Sequence, residues 1–248
     1  MNPKILILDI ETKPMLVSIW ELGKQYVGLD QIEEEWSIIA WSAKWLGEPT
    51  SNTRYYDLRN KDVNKDKVIL EPLWKLLDEA DYVVTQNGKN FDAPKINARF
   101  IMNGMQPPSP YKHLDTYQIA RRVAKMTSNK LEYLTEKVCK KYKKLKHKKY
   151  PGRALWRECC KNNIDAWNEM KKYNIHDVLS TEELYLGIRA WAPAPMTHVY
   201  LTETSNRLCP VCNKQALISN GTRANKKGCY RRLRCENCGA STTGEKLK

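Results

Sequence analysis

The spacing of apolar residues changes repeatedly along residues 1–191 and predicts alternating strands and helices. Ile5–Ile10 is an apolar run interrupted by one aspartate, which is typical of a strand buried on both faces. Strands are predicted over 1–12, 36–46, 54–58, 82–85 and 113–116. Helices are predicted over 68–79, 92–102, 116–125, 130–142, 154–161 and 163–191. This order predicts an α/β or α+β layered fold in which helices pack around a mixed sheet.

Two stretches fall outside this alternation. Residues 13–35, punctuated by proline and glycine, predict a long loop near the acidic end of the first strand. Such a loop is either functional or a packed surface excursion. Residues 192–196 are rich in proline and predict a short, stiff linker. The predicted domains are therefore 1–191 and a smaller one at 197–248.

The charge of the chain indicates a polyanionic partner. Its 248 residues carry 42 Lys+Arg against 28 Asp+Glu, a formal net charge of +14. Nucleic acid is the first candidate for that partner and an anionic membrane surface the second. The sequence has no apolar span of membrane length and no secretion-signal layout. We therefore expect a soluble, cytoplasmic protein (in the host cytoplasm if encoded by a phage) with no membrane partner.

Acidic residues in three separate places are the candidate chemistry. Asp9 and Glu11 project from the same face of the first strand, because a strand has period two. Paired carboxylates there are costly unless a cation compensates them, and Mg²⁺ or Mn²⁺ prefers such oxygen ligands; a solvent-exposed strand end is the alternative. Asp92 follows a strand and could simply cap a helix. Tyr173 and Asp177 share one face of a late helix, which could simply be its exposed polar face.

The order of these motifs resembles a known family. Asp9-Ile-Glu11, then Asn87-x3-Phe91-Asp92, then Tyr173-x3-Asp177 resemble the motifs of the DEDD superfamily of 3′–5′ exonucleases, over roughly residues 4–190. With tyrosine at this position the chain resembles the DEDDy branch, which contains the proofreading domains of DNA polymerases. Within that branch it most resembles the exonuclease domain of family B polymerases. A histidine branch would place histidine where this chain has Lys172, and His176 is interpreted as incidental.

The resemblance implies a ribonuclease H-like mixed sheet flanked by helices and hydrolysis with two Mg²⁺ or Mn²⁺ ions. Asp9 is expected to bridge both ions, Glu11 and Asp177 to hold the ion that activates water, and Asp92 to support the second. Tyr173 is expected to orient the attacking water. The expected contacts to the terminal nucleotide are Thr12, Asn87 and Phe91.

A run of eight lysines without an acid lies between Lys137 and Lys149. Together with Arg121 and Arg122 it favours contact with phosphates over a merely solvated helix end. The candidate phosphate contacts in this run are Lys140, Lys141 and Lys144.

Five of the eight cysteines lie near the C-terminus. Cys209-x2-Cys212 and Cys235-x2-Cys238 have the spacing of a structural Zn²⁺ site and resemble a zinc ribbon, whereas disulfides are unexpected inside a cell. Cys229 is close enough to compete as a ligand. The residues from 197 to 248 include ten basic residues and three glutamates.

Three arginines on a predicted strand of this small domain (Arg231, Arg232 and Arg234) resemble a surface that grips nucleic acid. Docking of a protein partner is the competing interpretation.

The sequence therefore predicts a metal-dependent 3′–5′ exonuclease, with DNA favoured over RNA as substrate. A structure-selective endonuclease is one alternative, disfavoured because Tyr-x3-Asp belongs to end-directed enzymes. A catalytically silent protein that binds nucleic acid or docks a partner is another, disfavoured by the retention of all five costly residues.

Overall fold

The structure, a computed structural model, describes residues 3–145, 149–192, 208–225 and 227–247. Its strands are β1 Ile5–Thr12, β2 Leu16–Val17, β3 Ile32–Glu34, β4 Ile38–Trp45, β5 Arg54–Asp57, β6 Tyr82–Thr85, β7 Lys112–Asp115, β8 Leu217–Asn225, β9 Gly228–Cys235 and β10 Ser241–Lys246. Its helices are α1 Lys67–Glu79, α2 Asp92–Met102, α3 Thr116–Val123, α4 Leu131–Val138, α5 Ala154–Cys160 and α6 Ile164–Ile188.

The predicted mixed sheet is confirmed and has the strand order β5-β4-β1-β6-β7. β1 lies at its centre, antiparallel to β4 and parallel to β6. This position buries β1 on both sides, as its apolar run predicts. In the register with β4, Asp9 lies opposite Ser42 and Glu11 opposite Ala40.

Helices cover both faces of the sheet, and the alternation of β1 decides which residues face which layer. Leu6, Leu8 and Ile10 belong to one hydrophobic cluster. Ile5 and Ile7 belong to the other, together with Val178 and Tyr185 of α6. Because Asp9 and Glu11 continue the odd-numbered series, their side chains point to the face on which α6 packs.

The long loop predicted for residues 13–35 contains a short antiparallel pair instead of irregular chain alone. Leu16 pairs with Glu34 and Val17 with Ile32, so β2 and β3 form a small second sheet. The tip between them is irregular and exposes Trp20 and Tyr26 almost completely.

The helix predicted for 130–142 is shorter, because α4 ends at Val138. Beyond it, the backbone N–H groups of Lys140 and Tyr142 each donate to the Glu183 carboxylate, at 2.7 Å. A side chain of α6 therefore takes the donors that a continued helix would have used.

The small domain is a three-stranded antiparallel sheet in the order β10-β9-β8. Its first strand runs to Asn225, beyond the short strand that the sequence suggests around Leu217. The predicted linker residues 193–196 and the start of the predicted domain at 197–207 lie outside the described residues. Among the helices in the described ranges, none is long and apolar enough to cross a membrane.

Candidate active site

Asp9 and Glu11 on β1 are each held by a side chain from a helix. Asn174 on α6 donates its amide to Asp9 Oδ2 at 2.6 Å. Trp156 on α5 donates its indole N–H to Glu11 Oε2 at 2.7 Å. Both carboxyl groups are therefore oriented by neutral donors, which fix their positions without cancelling their charge.

Asp92 reaches the same place from the start of α2. The register between β1 and β6 ends at Ile7, and farther along β1 the Ile10 N–H donates to Asp92 Oδ1 at 3.2 Å. Asp92 is the first residue of α2 and Phe91 occupies the N-cap position, so Asp92 is not the N-cap residue of this helix. Its carboxyl group instead bridges the helix start to the central strand.

The turn before α2 is shaped by Asp115, which caps α3. Its carboxylate accepts the backbone N–H groups of Asn87, at 2.8 Å, and Lys89, at 3.0 Å, as well as that of Tyr117. Asn87 has a φ of 62°, a left-handed conformation that asparagine tolerates. This turn places the half-exposed Phe91 next to Asp92.

Tyr173 and Asp177 lie on the buried face of α6, one turn apart. The Tyr173 ring meets the Trp156 indole edge-on, with centroids 6.0 Å apart. Trp156 therefore touches both Glu11 and Tyr173 and ties α5 and α6 to the end of β1. His176 points elsewhere, with its ring nitrogen against the Lys143 carbonyl.

The four carboxyl groups are buried close enough to perturb one another. Burial, with the charges of Asp177 and Glu11, raises the pKa of Asp9 well above its ordinary value. Burial, with the charge of Asp177, raises the pKa of Glu11 to about 8. Burial raises the pKa of Asp92 to about 7, and it raises that of Asp177 as well. Such a site concentrates negative charge that a cation would stabilise.

Lys144 is the cation that the chain itself brings to the site. Its ammonium lies 3.0 Å from Asp177 Oδ2 and 5.1 Å from the centroid of the Tyr173 ring. Burial lowers the pKa of this ammonium, but the charges of Asp177 and Tyr173 and the hydrogen bonds to both side chains together outweigh burial and raise it overall. Lys140 and Lys141, the other lysines expected to contact phosphate, are exposed instead.

The carboxyl groups fit divalent metal ions. Asp177 Oδ1 is buried and has no hydrogen-bond partner among the described residues. A single ammonium also leaves most of the negative charge of four carboxylates uncompensated. Hard oxygen donors with spare lone pairs are the ligands that Mg²⁺ and Mn²⁺ prefer.

The four predicted zinc ligands converge at one end of the small domain. The Cys209 and Cys238 sulfurs lie 3.7 Å apart, and those of Cys212 and Cys235 lie 3.6 Å apart. A tetrahedral zinc with Zn–S bonds of about 2.3 Å would separate its sulfurs by roughly 3.8 Å. Within the described residues, only these four side chains bring three or more potential metal-ligand atoms within 4.8 Å of one another, so the carboxylates are more widely spaced.

The surroundings of one cysteine, Cys212, favour its thiolate, whereas burial raises the pKa of Cys209 and Cys238. Burial acts to raise the pKa of Cys212, but hydrogen bonds from the Lys214 N–H and the Asn237 amide, together with those to Cys235 and Cys238, outweigh it and lower that pKa to about 7. Cys229 is exposed and is not one of the four clustered cysteines. The cluster could therefore hold zinc without Cys229.

The structure divides the three arginines of β9 between two faces. Arg232 and Arg234 alternate on one face, because side chains two apart on a strand point the same way. Arg231 lies on the other face, with its guanidinium 2.6 Å from Glu245. Arg232 and Arg234 have no acidic partner among the described residues, so these two arginines form the basic surface of this strand.

Comparison with known proteins agrees with this architecture. The family model RNase_H_2, of the RNase H superfamily, matches residues 6–188. The chain belongs to the RNase H superfamily. Its mixed five-stranded sheet is RNase H-like, and membership supports a nuclease that uses divalent metal ions.

A solved structure with a similar fold is the family B DNA polymerase from the hyperthermophilic archaeon Pyrobaculum calidifontis. The TM-score is 0.53 at 14% identity, and the match covers 78% of this chain and 26% of the polymerase chain. No curated protein sequence matches the chain.

Sequence reasoning missed two residues that contact the carboxylates. Asn174 lies three positions before Asp177, so helical spacing from the acid could have indicated it. Trp156 meets Glu11 across 145 positions of sequence, and no local pattern marks it.

Proposed function

We propose that this chain is a metal-dependent 3′–5′ exonuclease that hydrolyses nucleic acid, DNA in preference to RNA, by a two-metal mechanism. The observation that carries the proposal is that the buried carboxyl groups of Glu11, Asp92 and Asp177 lie close enough to Asp9 for their charges to raise its pKa. Their raised pKa values and the unpartnered Asp177 oxygen support a site built for divalent cations. The domain boundaries 1–191 and 197–248 remain part of this proposal.

Two Mg²⁺ or Mn²⁺ ions, held by the four carboxylates, would activate water and stabilise the charge that develops on the phosphate. The residues of the chain supply orientation. The Tyr173 hydroxyl, hydrogen-bonded with Asp177 and Lys144, would position the attacking water. The Lys144 ammonium would stabilise negative charge on the scissile phosphate. Asn174 and Trp156 would keep Asp9 and Glu11 in ligating orientation.

Attack at a 3′ end requires contacts to the terminal nucleotide. Phe91, 40% exposed and adjacent to Asp92, offers an aromatic face to a base. Asn87 lies in the turn before it, in a left-handed conformation. Thr12 follows Glu11 beyond a β-bulge, which redirects the end of β1.

The test is hydrolysis of 3′- and 5′-labelled single-stranded DNA and RNA, with a circular substrate alongside, after dialysis against buffer without divalent ions. Stepwise loss from the 3′ end on adding Mn²⁺ or Mg²⁺ is expected, with DNA the faster substrate. Asp9→Asn should abolish it. The matched control is Asp165→Asn. This substitution removes an exposed carboxylate of α6 that pairs with Lys149.

Other outcomes contradict the proposal. Cutting of the circle would indicate an endonuclease. Metal binding without a product on any substrate would indicate a catalytically silent binding protein.

We further propose that the small domain is a zinc ribbon that binds nucleic acid through Arg232 and Arg234. Replacing both by glutamine should reduce the salt dependence of oligonucleotide binding, by about 0.7 in the log–log slope for each phosphate that the protein no longer neutralises. Arg231→Gln is the control, because Glu245 neutralises Arg231. An unchanged slope would favour a protein-docking surface.

A further inference from the structure

An open groove of about 650 Å³ lies beside the candidate active site, between α6 and the segment that carries Lys144. Lys171, Lys172, Ile175 and His176 line it from α6, and Leu145 lines it from the opposite side. His176 is the immediate sequence neighbour of Asp177, which lies on the buried face of the same helix. Its volume lies within the range of ligand sites, about 300–1,000 Å³.

The wall opposite α6 is fixed by contacts to α6 itself. Glu183 accepts the backbone N–H groups of Lys140, Lys141 and Tyr142, at 2.7–3.2 Å. The Tyr142 ring meets the His176 ring edge-on, at 5.7 Å. Two residues after Tyr142, the backbone N–H of Lys144 donates to Thr135 Oγ1 at 3.1 Å. The groove is therefore a built feature with a held wall.

The same segment reaches both the groove and the reacting centre. Lys144 extends from it to Asp177, while the adjacent Leu145 lines the groove. A strand that follows the groove would pass Lys144 as it enters the carboxylate site.

The lining of the groove combines cationic rims with an apolar floor. Lys171 and Lys172 are exposed, and no acidic residue occurs among the described residues that line the groove. Ile175 is half-buried and Leu145 is 42% exposed, so both offer apolar surface. The phosphates of a nucleic-acid strand bind to cationic side chains, and its bases pack against apolar surface. A base reaches such a floor only when it is unpaired.

We propose that this groove binds single-stranded DNA adjacent to the nucleotide being hydrolysed, with phosphates on Lys171 and Lys172 and a base against Ile175 and Leu145. The inference rests on the proposed nuclease function and extends it to a strand-binding site outside the reacting centre.

Binding is measured by fluorescence anisotropy with a labelled oligonucleotide of about 15 nucleotides, using full-length protein that carries Asp9→Asn to prevent turnover. Two phosphate contacts on a single strand correspond to a salt slope of roughly 1.4 and to about 25-fold in affinity at 0.1 M salt. The double variant Lys171→Gln/Lys172→Gln should therefore bind about 25-fold more weakly at 0.1 M salt, and its salt slope should be smaller by roughly 1.4. The matched control replaces two exposed lysines of α1, Lys67 and Lys75, by glutamine.

Two further arms separate the groove from the reacting centre. Leu145→Ser should weaken binding several-fold without changing the salt slope, because it removes apolar contact only. Hydrolysis of the p-nitrophenyl ester of thymidine 5′-phosphate, which has a terminal nucleotide but no strand, should be unchanged by the lysine replacements in the otherwise wild-type protein.

Equal affinities and salt slopes for the lysine double variant and its α1 control would refute the proposal that the groove binds DNA. A matching loss on the short ester would also overturn it, because the lysines would then act on the reacting centre. Weakened binding by the groove variant in a protein that hydrolyses nothing would refute the nuclease function and leave the groove as a DNA-binding site.

Discussion

Trp156→Phe tests whether the hydrogen bond to Glu11 prepares this carboxylate for a metal ion. The indole N–H lies 2.7 Å from Glu11 Oε2, and the rest of the ring packs edge-on against Tyr173. Phenylalanine removes the donor but keeps an aromatic ring against Tyr173. The substitution therefore isolates the polar contact better than alanine would.

The size of the expected effect follows from the charge of the acceptor. A hydrogen bond to a charged group contributes about 1.5–3 kcal/mol, and about 1.4 kcal/mol corresponds to a factor of ten in an equilibrium constant. Removal of this bond should therefore raise the metal concentration for half-maximal activity by roughly 10- to 100-fold, the range found when residues behind metal ligands are replaced. The rate at saturating metal should fall much less.

The assay is the rate of 3′-end hydrolysis against Mn²⁺ and Mg²⁺ concentration. Trp167→Phe is the matched control, because Trp167 is fully buried and its indole N–H has no hydrogen-bond partner among the described residues. That variant should lower thermal stability and leave the half-saturating metal concentration unchanged. An unchanged metal requirement in Trp156→Phe, or an equal rise in both variants, would refute the role given to Trp156.

Three further predictions concern the framework of the site. Gly88→Ala should lower the melting temperature and the activity, because a Cβ there would lie 2.2 Å from Thr85 Oγ1; differential scanning fluorimetry measures the first. Burial lowers the pKa of His113 to about 4, so its neutral form stabilises the fold above pH 6.5 and this contribution is lost as pH falls toward 4; denaturant titrations should show a shallower loss in His113→Asn. Cys212→Ser should lose the one zinc expected per chain, measured by a chromogenic chelator, whereas Cys229→Ser should keep it.

Local sequence signals predicted the elements well wherever they alone decide the structure. The bounds of α2 agree with the prediction, because an aspartate begins the helix and Gly104 follows its end. The end of α4 could not be predicted in the same way, since Glu183 takes the N–H groups of Lys140 and Tyr142 from more than 40 positions away.

The candidate site also combines features that local sequence signals predict with contacts that only the fold creates. Its acids are visible in the sequence because each belongs to a short motif on one element. Their supporting contacts join distant parts of the chain, such as Asn174 with Asp9 across 165 positions. The lysine run likewise indicated phosphate binding as a group, while only the fold distinguishes Lys144 from its exposed neighbours.

The electrostatics of the chain leads to a last prediction, about how substrate binding depends on metal. The protein is strongly basic, yet within the described residues its candidate site collects four carboxylates against the ammonium of Lys144. A phosphate is therefore repelled from the site unless divalent cations reverse its charge. The groove lysines, together with Arg232 and Arg234 of β9, lie outside it and attract phosphates without metal.

Metal should consequently strengthen binding only for strands whose 3′ end can enter the site. The measurement compares linear and circular single-stranded DNA of equal length with and without Ca²⁺, an ion that carboxylates bind with flexible geometry, using Asp92→Asn protein to slow any hydrolysis. Linear DNA should bind more tightly when Ca²⁺ is added, and circular DNA should not. Equal strengthening of both would mean that the ions act along the whole strand, and the charge-reversal argument would then fail.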